Sequence, residues 1–99
     1  MAKYILSKKA LEDLSNIWNY TFEKWSESQA ERYYLMLTDC CQGIAENKIL
    51  GRKYPEVSED LFGTLVGQHI IFYRKSSKGN LQVIRILHSH MDLKSRFEE

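Results

Sequence analysis

The stretch "VIRILHSHMD", residues 83–92, sets Arg85, His88, His90, Met91 and Asp92 behind a run of aliphatic side chains. Arginine, histidine and aspartate this close together suit a site that cleaves a phosphodiester. Cutting RNA with its own 2′-hydroxyl needs a base for that proton, an acid for the leaving oxygen and cations for the phosphorane. Arg85 could meet the phosphate, His88 or His90 could move the proton, and Arg74 or Tyr73 could assist. The spacing argues against it. Arg85 and His88 are an odd number of positions apart, so on a regular strand they point to opposite faces. Only a bulge would bring them together. No residue is therefore assigned a catalytic role, and the same side chains would equally serve a strand that docks on another protein.

Each of these residues also has a plain structural reading. Arg85 on an apolar face can pair with a carboxylate such as Asp92, and Asp92 can cap a last helical turn. Cys40 and Cys41 are adjacent and share no ligand spacing with the histidines, so they read as reduced core thiols, with no metal and no cofactor expected. Trp18 and Trp25 read as core anchors.

The elements that must position these residues follow from periodicity. "KYILS" is a short strand ending at Ser7, a good helix cap. Ala10, Leu11, Leu14, Ile17, Trp18, Thr21, Phe22 and Trp25 then fall within an arc of about 140°, predicting an amphipathic helix over residues 8–25. Ser26 or Ser28 caps a second helix running to about residue 47, with Ala30, Tyr33, Tyr34, Leu37, Cys40, Cys41, Ile44 and Ala45 on its apolar arc. So short a link predicts an antiparallel helical hairpin. Gly51 ends the helical half, and "GRKYPEVSED" is the one long irregular segment. Strands are predicted at 61–66, 69–75 and 81–88, the last two joined by "SSKGN". Residues 1–99 form a single α+β domain, β-α-α-β-β-β, its antiparallel sheet packed on one face by the helical hairpin.

That layout leaves an imbalance. The strands at 69–75 and 81–88 are apolar on both faces, while the hairpin covers one. The other face is expected to be closed by the tail or by a partner. Strict alternation puts Ile84 and Ile86 toward the helices and Val83, Arg85 and Leu87 on the partner face. Leu35 and Met36, large apolar residues off the core arc of the second helix, mark further partner surface.

Composition narrows the function. The net charge of +1, from 14 Lys and Arg against 13 acids, gives no global field for nucleic acid or anionic lipid. Direct sequence-specific DNA binding is therefore not expected. No stretch approaches the roughly 18 apolar residues of a membrane span, nor does the start resemble a signal peptide. A cytoplasmic protein is expected.

"YILSKKALEDLSNIWNYTFEKW", "QAERYY", "IIFYRK" and "VIRILHSHMD", in that order and across nearly the whole chain, resemble the ParE toxins of the RelE/ParE superfamily of bacterial type II toxin–antitoxin systems. The resemblance implies plasmid or chromosome maintenance, neutralisation by a ParD-like antitoxin in a toxin–antitoxin hetero-oligomer, and DNA gyrase as the target. On that reading the antitoxin covers Leu35, Met36, Val83, Arg85 and Leu87, while Arg74, Arg85, His88, His90, Met91 and Asp92 are candidates for touching the target. The superfamily's other activity, ribosome-dependent mRNA cleavage of the RelE type, is the alternative enzyme reading. A non-toxic co-repressor that only pairs with its antitoxin is a third.

Overall fold

A computed structural model describes residues 3–76, 79–90 and 97 of the chain. Strand β1 (Tyr4–Leu6) leads into helices α1 (Lys8–Lys24) and α2 (Glu27–Ala45), followed by β2 (Arg52–Lys53), β3 (Phe62–Val66), β4 (His69–Lys75) and β5 (Leu81–His88). The five strands form one sheet in the order β1-β5-β4-β3-β2. The helices and the three long strands lie where periodicity predicts them.

Ser7 explains how β1 becomes α1. Its Oγ caps the helix by accepting from the Ala10 N–H at 3.0 Å, and donates to the Ile84 carbonyl at 2.7 Å. Its backbone N–H donates to the Val83 carbonyl at 2.9 Å. One serine thus ends the strand, starts the helix and fastens both to β5. Ser26 caps α2 in the same manner, so the helices turn back within two residues. α2 ends at Ala45, within two residues of the predicted end. Asn47, at φ 61°, takes the left-handed conformation that closes a helix, a task assigned from sequence to Gly51.

Two features of the sheet differ from the expected meander. β1 runs parallel to β5, which the helical crossover permits, so the sheet is mixed. β2 pairs only Arg52 and Lys53 with Gly63 and Phe62. Two exposed charged residues show no alternation, so this strand exists through tertiary pairing and leaves no local signal.

The third difference is a bulge. Phe72 lies opposite Arg85 but Tyr73 lies opposite Val83, so Ile84 is the extra residue in β5. The phase of the strand flips there. Leu81, Val83 and Ile86 enter the helix-side core with Leu14, Leu37, Ile44, Ile71 and Tyr73. Ile84 and Leu87 join Phe72, Ile70, Tyr54 and Leu61 on the other face. Ile86 faces the helices as alternation predicts; Ile84 and Val83 are exchanged. The second face is closed by the chain itself, through Tyr54, Val57, Leu61 and Phe97.

The apolar arc of α1 is also wider than its partners can cover. Ala10 and Leu14 are buried, whereas Leu11, Phe22 and Trp25 are exposed, Trp25 by 70%. Trp25 is therefore not a core anchor. Trp18 is half-buried and stacks on Phe22, with ring centroids 5.3 Å apart.

Candidate functional site

Arg85 lies at the outer edge of β5, just past the bulge. β1 has already ended there, so the edge is met by α1 instead. Asp13 reaches down from α1 and accepts from Arg85 Nε at 2.9 Å, from Arg85 Nη2 at 3.1 Å and from the Ile86 N–H at 3.0 Å. The two side chains are only 11% and 13% exposed. This forked pair, with a backbone donor on the same carboxylate, joins helix to sheet. Arg85 does pair with a carboxylate, though the partner is Asp13, 72 residues away in sequence. Its predicted place on an open antitoxin face does not hold, because the guanidinium is buried against α1. Val83 and Leu87 are buried as well, and neither offers surface to a partner.

Arg74 is similarly engaged. Its Nε donates to Asp60 Oδ1 at 2.9 Å and its Nη2 to Ser58 Oγ at 3.1 Å. The hydrogen bond from Arg74, reinforced by Ser58, holds the Asp60 carboxyl below its ordinary range. The contact pins the 54–61 segment over the second sheet face. Tyr73, a candidate acid by sequence, is core: its ring stacks on Phe62 and its Oη accepts the Gly51 N–H at 3.0 Å.

The histidines gather at the other end of the sheet, around a tyrosine the sequence reading left in the core. Tyr33 Oη accepts from the Gln68 N–H at 3.0 Å and lies 2.6 Å from His69 Nδ1. The hydroxyl also donates to the Val66 carbonyl at 3.4 Å, so it joins the turn, the strand and the imidazole. His69 is the neutral partner in the 2.6 Å contact. Burial, then the neighbouring His88, pushes its pKa down to about 4. The His88 ring lies 5.3 Å from His69 and 5.4 Å from His90, and His88 Nδ1 accepts the His90 N–H. The pairing of His69 with His88 and of Phe72 with Arg85 keeps His88 and Arg85 on opposite faces. Bulging before Arg85, rather than after it, leaves the spacing argument intact.

Of the remaining candidates, Leu35 and Met36 are exposed, by 50% and 40%. Met36 borders the β3–β4 turn at Gly67, the positive-φ residue that the turn requires. Met91 and Asp92 lie outside the described residues. Cys40 and Cys41 are buried free thiols, and burial drives Cys41 up to about 12. Among the described residues, no cluster of three His, Cys, Asp or Glu could hold a metal, and no helix is long and apolar enough to cross a membrane. Sequence reasoning missed Asp13, Tyr33 and His69. Asp13 carried a weak signal, as an acid bordering the apolar arc of α1; the other two carried none.

The His69 environment has a measurable consequence. In the unfolded chain a histidine takes up a proton near pH 6.5, whereas the folded site resists protonation until about pH 4. Stability from this group is therefore complete above pH 6.5 and falls as the pH drops from there toward 4. Between pH 7 and pH 5 the wild-type chain should lose about 2 kcal/mol more than His69→Gln, less any relief from partial solvation. Urea titrations at the two pH values measure the difference; equal losses would mean that His69 charges freely in the fold.

The family model described as the ParE toxin of the type II toxin–antitoxin system parDE matches residues 4–93. Toxin ParE1 of Mycobacterium tuberculosis is 34% identical over 92 residues, covering 93% of this chain and 94% of the relative. Toxin ParE1 of Caulobacter vibrioides is 30% identical over 95 residues, covering 96% and 97%. A solved chain of the chromosomal ParDE toxin–antitoxin system from P. aeruginosa superposes with a TM-score of 0.75 at 17% identity, covering 89% of this chain and 96% of that one. A chain of the toxin–antitoxin complex RelBE2 from Mycobacterium tuberculosis gives a TM-score of 0.58 at 14% identity, with 88% and 96% covered.

Proposed function

Because the chain belongs to the ParE toxin family of type II toxin–antitoxin systems, we propose that it acts on DNA gyrase by binding, not by catalysis, and that a ParD-like antitoxin neutralises it. What carries the binding reading is the engagement of the two arginines. Arg85 is held by Asp13 and Arg74 by Asp60, on different parts of the molecule, and neither converges with the histidine row. Phosphoryl-transfer chemistry needs cations, base and acid around one point. The described residues bring no such set together.

Target contact then falls to the histidine end of the sheet, where His88 and exposed His90 present polar rings. Leu35 and Met36 serve the antitoxin. The fold shared with a chain of a RelBE complex keeps mRNA cleavage as the competing outcome.

The test separates the two. With purified gyrase, the chain should block supercoiling and accumulate cleaved DNA, and translating ribosomes should leave their mRNA intact. His88→Gln together with His90→Gln should retain growth inhibition, since glutamine keeps hydrogen-bonding capacity and loses only the titratable ring. Loss of toxicity in a folded, antitoxin-binding double variant, with ribosomal cleavage in the wild type, would replace the gyrase reading.

A further inference from the structure

The outer side of α1 is unusual for a helix whose inner side packs so well. Leu11, Trp18, Phe22 and Trp25 recur at intervals of seven, four and three residues, within about 60° of one another and along about 21 Å of helix. Leu11 is 52% exposed, Phe22 46% and Trp25 70%, and Trp18 is stacked flat on Phe22. This is a continuous ridge of large apolar rings, adjacent to the core arc yet outside it. Scattered apolar residues on a surface are ordinary; a ridge of this length in register is the half-interface of a helix pair.

Charge says what kind of helix fits. The segment 8–46 carries seven acids against four bases, although the whole chain is close to neutral. Glu12, Glu23, Glu27, Glu31 and Asp39 are all exposed, and none is in an ion pair among the described residues. Glu23 and Glu27 flank the turn on which Trp25 sits. An acidic partner would meet the net negative charge of the helical hairpin.

We propose that the Leu11–Trp18–Phe22–Trp25 ridge is the seat of an amphipathic helix of the antitoxin, about four turns long, with large apolar residues on one stripe and lysines or arginines along its flanks. This rests on the antitoxin reading above and extends it to a separate surface from Leu35 and Met36. The apolar ridge supplies affinity, and the net negative charge of the hairpin supplies orientation and association rate.

Both tryptophans of the chain lie on the ridge, so their emission reports on it directly. The antitoxin encoded by the neighbouring reading frame, prepared without tryptophan and titrated into the chain, should shift the emission to the blue. Phe22→Ser with Trp25→Ser, both at exposed positions and checked for fold by circular dichroism, should raise Kd at least about tenfold. Glu23→Lys with Glu27→Lys should slow association and flatten its dependence on salt. Failure of the wild-type chain to bind that antitoxin would overturn the antitoxin reading and this proposal with it. Tight binding with unchanged emission, and unchanged Kd in the serine variant, would overturn the ridge alone. An unchanged salt dependence in the lysine variant would overturn the basic character of the helix.

Discussion

Asp13→Ala should cost the isolated chain about 3–5 kcal/mol, the range for removing one partner of a buried ion pair. The carboxylate receives two guanidinium hydrogens and the Ile86 N–H, and all lie at a nearly closed junction of α1 with β5. Alanine takes the Asp13 carboxylate away from a buried guanidinium and from the Ile86 N–H. Asp13→Asn should recover about 1 kcal/mol of the loss, because its amide oxygen can still accept from Ile86. Urea unfolding of the three proteins measures the series. If Asp13→Ala were within experimental error of wild type, the junction would be solvated and Arg85 would be available for a partner after all.

Phe72→Ala carries the other large effect, again about 3–5 kcal/mol. Phe72 is fully buried, on the sheet face away from the helices, and meets Tyr54 and Phe97 edge-to-face at centroid distances of 5.0 and 5.1 Å. Were that face reserved for a partner, truncation would leave the isolated chain nearly indifferent and weaken the complex. Closure by the chain's own 54–61 segment and Phe97 requires the opposite, a loss of stability in the isolated protein. Thermal or urea denaturation without antitoxin decides it.

These two sites show what was legible in the sequence. The helices could be read because their apolar spacing and serine caps are local, and β3, β4 and β5 because their aliphatic runs are. The order of layers followed from the short link between the helices. The placements of Val83, Ile84 and Arg85 could not be read, for two physical reasons. A single extra residue at Ile84 reverses the faces of Val83 and Ile84, and no propensity marks such a bulge. The partner of Arg85 is 72 residues distant, so no neighbouring acid could announce it. Likewise, nothing in "GRKYPEVSED" shows that its proline-bearing loop would fold back as a second lid. Leu35 and Met36 stood out because they break a pattern, and the structure leaves both exposed. The ridge on α1 was hidden by the opposite circumstance. Its residues fit the pattern too well, and the arc of an amphipathic helix does not say how much of it neighbours will cover.

The three bonds of Ser7 have a consequence for how the chain is born. Its hydroxyl and amide reach Val83 and Ile84, and β1 itself pairs with Leu81, Gln82 and Val83. The first strand to be synthesised thus has no neighbour in the sheet until the last one has left the ribosome, 77 residues later by the Ser7–Ile84 bond. At translation rates of about 5–20 residues per second, that is an interval of several seconds at least. During it the helical hairpin can form from local contacts, whereas the sheet cannot close. A freshly made chain therefore passes its first seconds with its sheet unclosed, a period in which antitoxin already present would meet the toxin before it is complete.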